Sequence, residues 1–198
     1  INGKSFDFIK IIDEILHTDE KVSSSIFSNL TSYIDIKINK AYLDQEEFVN
    51  DLSGYIQYKN NKINNLNLVS TFPNNRKLSL TINTNKKNEK ITTLFSDYPK
   101  PLVKKYKFIK GFEKGVLDFY SIKNDGRSNS LLTIDNFKIQ EVPVFAKLLS
   151  LASLQGIADL LTGEGIRFTD FEMKFSNNNG QTKIEEMYAI GPVVSILM

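Results

Sequence analysis

Hydrophobic residues in this chain recur mainly at every second position. Between Tyr33 and Asn39, Ile34, Ile36 and Ile38 alternate with Tyr33, Asp35, Lys37 and Asn39, the pattern of a strand with one face covered and the other in water. Gly54 to Tyr58, Asn65 to Val69 and Leu78 to Ile82 follow, separated by Asn-rich or Pro-containing turns. Leu78, Leu80 and Ile82 repeat the one-sided arrangement. Strands resume at Val116 to Ile122 and Leu131 to Ile139, with Asn124-Asp125-Gly126 as the turn signal between them. Further on, Phe171, Met173 and Phe175 alternate with Glu172 and Lys174. These runs predict an antiparallel meander with one apolar face.

Two segments keep a helical period instead. Asp7 to Leu16 places Phe8, Ile11, Ile12 and Ile15 on one stripe, with Ser5 or Asp7 as N-cap. Val144 to Leu161 is apolar at nearly every position, and Lys147, Gln155 and Asp159 are among its few polar residues. A helix apolar on almost every side has to be covered, here by the concave face of a sheet or by lipid. Val142 to Leu161 approaches membrane-spanning length, but Lys147 and Asp159 each cost about 2.5–3.5 kcal/mol at a bilayer centre. A transmembrane span is therefore not expected. Gly163-Glu164-Gly165 follows this helix and reads as its C-cap and a turn, because phosphate-binding glycines precede a helix.

Together the patterns predict a mainly β (α+β) fold: a curved antiparallel sheet or meander, repeat-like, with two or three short helices. Its hydrophobic concave face is expected to carry Ile34, Ile36, Ile38, Leu78, Leu80, Ile82, Phe171, Met173 and Phe175, partly closed by Val144, Leu148 and Leu151 of the 142–161 helix. A helix-plus-meander unit over 1–110 and a second unit over 111–198 are expected to share one sheet. Lys62-Ile63-Asn64-Asn65-Leu66 before Leu78-Ser79-Leu80 resembles Lys183-Ile184-Glu185-Glu186-Met187 before Val194-Ser195-Ile196, which suggests an internal repeat. Tyr98 to Lys114 reads as a solvated helix and loop. Its cluster of Lys residues, with Lys104, Lys105 and Lys107 at the centre, also suits the phosphates of lipid headgroups.

Composition narrows the function. The 198 residues allow one large or two small domains. Formal charge is only +2, from 22 Lys and 3 Arg against 23 acids, too even for a committed nucleic-acid binder. Cysteine is absent and His17 is the only histidine, which removes disulfides, thiolate sites, His-based triads and multi-His metal sites. Asp13-Glu14, Asp19-Glu20, Glu46-Glu47 and Glu185-Glu186 are adjacent pairs that point to different sides of any regular element, so none makes an acid/base dyad. Ser130, Ser150 and Ser153 lack a nucleophile-elbow setting. Enzymatic function, a metal and a cofactor are not expected. The first residue is not Met and the last are Ile196-Leu197-Met198, a strand-like ending that suggests a piece of a longer protein.

The run from Leu148 to Phe168 has the order and spacing Ser-Leu-x-Gly-Ile-x-x-Leu-Leu-x-Gly-Glu-Gly-Ile-x-Phe. With Leu131 to Ile139 before it and Ala189-Ile190-Gly191-Pro192-Val193-Val194 after it, this segment resembles the C-terminal domain of the large AsmA-like envelope proteins, the YhdP and TamB type. Gly3-Lys4-Ser5-Phe6-Asp7 is similar to that family's Gly-x-Ser-x-Asp motif, and Ser96-Asp97 falls where its sheet meets another short helix. Members usually carry a Gly pair before the strand that here begins at Val116, where this chain has Lys114-Gly115. The resemblance implies a periplasmic segment of a Gram-negative envelope protein anchored to the inner membrane outside this stretch. Such a segment would carry phospholipid between the inner and outer membranes along a hydrophobic groove, with other envelope proteins as further partners and no nucleic acid. Two alternatives stay open: a dry core with no ligand, and a scaffold for outer-membrane assembly. A lipid-modifying enzyme is a remote third, disfavoured by the missing nucleophile and histidine.

Overall fold

The computed structural model describes residues 2–7, 31–59, 62–104, 110–141, 165–192 and 195–197, and structural statements below concern these residues. They form one open, 11-stranded sheet whose strands lie side by side in chain order. These are β1 (Asn2–Asp7), β2 (Ser32–Tyr42), β3 (Phe48–Lys59), β4 (Lys62–Thr71), β5 (Lys77–Thr84), β6 (Lys90–Ser96), β7 (Lys110–Asn124), β8 (Arg127–Glu141), β9 (Ile166–Asn178), β10 (Gln181–Ile190) and β11 (Ser195–Leu197). All neighbours are antiparallel except β1 and β2, which run parallel, so the sheet is mixed. One helix is described, the five-residue α1 (Lys100–Lys104). The expected helices over 7–16 and 142–161, His17, Lys105 and Lys107 lie outside the described residues.

The mainly β expectation holds, and its details change in three places. Asn2–Asp7 is a strand paired with Lys37–Tyr42, where the sequence was read as leading into a helix. A parallel pair offers no tight-turn signal, since it needs a long crossover. Lys90–Ser96 is a full strand between β5 and β7. Its Thr92-Thr93 centre breaks the apolar alternation that marked its neighbours. The repeat does not translate into equivalent topology either. Strand β3 intervenes between Ile38 and Lys62, whereas a tight turn alone separates β9 from β10.

Hairpin chemistry sets the register. Asp125 and Gly126, and likewise Asn179 and Gly180, all have positive φ, the conformation of the two-residue turns whose twist matches the flanking strands. The two turns touch, with Asn179 N–H donating to the Gly126 carbonyl at 3.2 Å. At the other end of β7 and β8, Lys114 (φ 63°), Gly115 (φ 90°) and Asn136 (φ 52°) lie in the left-handed region. The strand begins at Lys110, not Val116, and carries an irregularity at Lys114-Gly115. Consequently Ile134 and Phe137, three residues apart, are both buried, a spacing that a plain pleat would send to opposite faces.

Two clusters make the core. The first contains Ile36, Ile38, Val49, Leu52, Leu66, Leu68, Phe72 and Ile82 among others from β2 to β5. The second gathers Phe112, Leu117, Ile134, Phe137, Ile166 and Phe168 with Val103 of α1. Phe137 stacks between Phe112 (ring centroids 5.4 Å) and Phe168 (5.2 Å). Leu94 packs against both clusters, while consecutive α1 residues serve one each, Leu102 the first and Val103 the second.

Candidate functional site

Residues directly opposite in an antiparallel ladder lie on the same side of the sheet, so the register can be followed as rows across the strands. One row runs Ile34, Ile56, Leu66, Ile82, Thr92, Ser121, Ser130, Phe175, Ile184. Two positions along the strands, the next row runs Ile36, Gly54, Leu68, Leu80, Leu94, Phe119, Leu132, Met173, Met187. A third pairs Ile38 with Leu52 and, beyond the irregularity in the β3–β4 ladder, runs Ser70, Leu78, Ser96, Leu117, Ile134, Phe171, Ala189. Ile34, Ile36, Ile38, Leu78, Leu80, Ile82, Phe171, Met173 and Phe175 thus fall in three adjacent rows. Val144, Leu148 and Leu151 lie outside the described residues.

Burial along these rows is uneven. Leu66 is 0% exposed and Ile82 1%, and Ile36, Ile38, Leu68, Leu78 and Leu80 are also buried. From β6 onward Leu94, Phe119, Leu132, Phe171, Met173, Phe175 and Met187 are only half-buried, and Ile184 is 53% exposed. Phe119 and Phe175 stack at 6.4 Å across the intervening β8. Between the aliphatic and aromatic parts of the first row sits a group of hydroxyl residues, of which sequence reading weighed only Ser130, and that as a nucleophile. Ser130 Oγ donates to Ser121 Oγ at 2.9 Å, both residues being 8% exposed, with Thr92 beside them. The usable signal was their parity: Ser121 and Ser130 stand two residues from Phe119 and Leu132.

The other side of the sheet mixes charged residues with Val69, Phe95, Tyr120 and Leu131. Lys174 Nζ bridges Glu186 (2.8 Å) and Glu172 (3.1 Å), and Tyr188 Oη donates to Glu172 at 3.0 Å. The two carboxylates hold the Lys174 ammonium well above its usual range. Asp135 and Asp170 are direct cross-strand partners. Partial burial, then the charges of Asp170 and Asp118, push the Asp135 carboxyl up.

Lys104, expected at a headgroup, is turned to an acidic loop instead. Its ammonium lies 2.8 Å from Glu46 and 3.7 Å from Asp44, and the hydrogen bond it donates to Glu46, with the Asp44 charge, raises its pKa. Burial alone would push Asp44 up, but the Glu47 and Glu46 amides and Lys104 together bring it down. The better formed surface depressions are shallow and polar, one at Asp44, Gln45, Glu46 and Lys104, another at Gly3, Lys4, Lys37 and Asn39. Among the described residues no three His, Asp or Glu side chains converge as metal ligands, and no helix is long and apolar enough to cross a membrane. No protein-family model, curated protein or solved structure matches the chain.

Proposed function

We propose that this chain is a non-enzymatic segment of a Gram-negative envelope protein that carries phospholipid acyl chains along a hydrophobic, concave side of its sheet. The observation that carries this reading is the three-row register, which sets apolar side chains in line across nine consecutive strands and leaves Phe119, Leu132, Phe171, Met173, Phe175 and Met187 of β7 to β10 only half-buried. The AsmA-like resemblance of Leu148 to Phe168 supports it. Burying acyl chain against such a surface gains about 0.8 kcal/mol per methylene relative to water, which offsets removal from a bilayer, and the open sheet leaves a headgroup hydrated. No bond is made or broken in this scheme. Native mass spectrometry of the protein purified from bacterial membranes, with photo-crosslinkers at Met173, Phe175 and Leu80, tests it. Crosslinks to phospholipid at Met173 and Phe175 are expected; a lipid-free protein with no crosslinks at any of the three would remove the reading.

A second reading, a scaffold for outer-membrane assembly with a dry core, is favoured by the near-zero exposure of Leu66, Leu68 and Ile82. It predicts that the half-exposed residues of β7 to β10 also stay lipid-free in membrane extracts.

A further inference from the structure

The apolar rows end, toward one end of the strands, in a graded polar border. Next to the row of Ile82, Thr92, Ser121 and Ser130 comes Thr84, Lys90, Lys123, Ser128, Asn177 and Thr182, two positions further along the same strands and on the same side. Beyond it stand the turns of the β5–β6, β7–β8 and β9–β10 hairpins. Over residues 84–90, 123–127 and 178–183 these carry Lys86, Lys87, Lys90, Lys123, Arg127 and Lys183 against only Glu89 and Asp125; by register Lys90 and Lys123 share the side of the apolar rows, and Arg127 and Lys183 stand on the other. That local excess is larger than the +2 of the whole chain. Lys86, Lys87, Arg127 and Lys183 are exposed. Glu89 is already engaged inside its turn, where its carboxylate accepts from Asn85 Nδ2 at 2.7 Å.

Strand spacing of 4.7–4.9 Å puts the three hairpins along about 24 Å of rim. From Lys90 and Lys123 to the row of Ser96 and Leu117 is about 20 Å of strand, and along it the side chains change from cationic to hydroxyl to apolar. The order is that of a phospholipid: phosphate, ester-bearing glycerol, hydrocarbon. We infer, resting on the lipid reading above, that this hairpin rim holds the headgroup of an anionic phospholipid whose acyl chains lie on the half-exposed rows of β6 to β9. Charge complementarity selects that occupant over a zwitterionic lipid, because each basic residue near an anionic lipid surface contributes independently to binding. At the opposite end of the sheet the charge of Lys104 is answered by Asp44 and Glu46. The touching turns at Gly126 and Asn179 hold two of the three hairpins in fixed relation.

The test is uptake from an equimolar mixture of phosphatidylglycerol and phosphatidylcholine with identical acyl chains, read by native mass spectrometry on the full chain. The wild type and the Lys86→Gln/Lys87→Gln variant are compared, with circular dichroism confirming that the variant is folded. Wild-type protein is expected to retain mainly phosphatidylglycerol. The variant should lose affinity for it by about fivefold per neutralised cation, about 25-fold in all, while its uptake of phosphatidylcholine is unchanged. Equal retention of the two lipids by wild type overturns the headgroup assignment and leaves the lipid reading standing. A preference that survives in the variant overturns it also, by placing selection elsewhere. Retention of neither lipid removes the lipid reading together with this inference. Inorganic phosphate that competes fully at the rim's affinity for phosphatidylglycerol would make it a free-anion site and overturn the lipid assignment.

Discussion

The same three rows behave differently in the two halves of the sheet. Across β2 to β5 they are aliphatic and almost completely buried, with Leu66, Leu68 and Ile82 at the centre of the first cluster. Across β7 to β10 the first two rows hold Phe119, Leu132, Met173, Phe175 and Met187 only half-buried, and deep apolar burial is confined to Leu117, Ile134 and Ala189 of the third row and to the far end of the strands, where Phe112, Phe137 and Phe168 stack. A continuous register therefore does not imply a continuous core. One half has the dense aliphatic packing of a dry core, and the other keeps flat, polarisable side chains partly at the surface.

Truncation breaks or confirms that contrast most directly. Leu66→Ala is expected to cost about 2–5 kcal/mol, the range for a buried leucine, whereas Met173→Ala should cost about 1 kcal/mol or less because much of its contact is already with solvent. Paired denaturant titrations measure both, and equal losses would end the distinction between the halves. Gly115→Ala probes the left-handed backbone beside Phe137. An added Cβ meets Phe137 Cβ at 3.1 Å and Ile134 Cγ2 at 3.2 Å in a backbone at φ 90°, so a loss of about 2 kcal/mol or more is expected. The loss should be accompanied by a changed near-ultraviolet aromatic signal from the Phe stack.

Smaller effects sharpen the boundary between the halves. Ser121→Ala leaves the buried Ser130 hydroxyl without its acceptor and should cost about 1–3 kcal/mol, while the double change of Ser121 and Ser130 to Ala should cost less than Ser121→Ala alone. A thermal-unfolding cycle over the four proteins reads this coupling. On the other side of the sheet, Asp135 is ionised less readily when folded than when unfolded. Its penalty therefore grows as pH rises from the usual carboxylate value through the raised folded one and is complete at neutral pH. Asp135→Asn should stabilise the chain at pH 7 by a few tenths of a kcal/mol, the scale of a cross-strand pair. The gain should vanish in acid, where the wild-type carboxyl is protonated in both states.

Strand identity was legible because alternation is a local property: Ile34, Ile36 and Ile38, or Phe171, Met173 and Phe175, face one way in any pleated strand. The Asn124-Asp125-Gly126 turn was legible for the same reason, since positive φ limits the residues that fit. Strand β6 and the parallel strand β1 were not, because Thr-rich and Gly-bearing segments become strands only when neighbours supply the ladder. Nor could alternation place Phe137 beside Phe168, which depends on the left-handed backbone at Lys114, Gly115 and Asn136. Sequence by itself determined which side chains share a strand face. Tertiary structure alone decided which of those faces close into core, that Lys104 answers Asp44 and Glu46, and that three hairpins bring their cations to one rim. Those outcomes rest on long-range register and packing between strands, which no local period encodes.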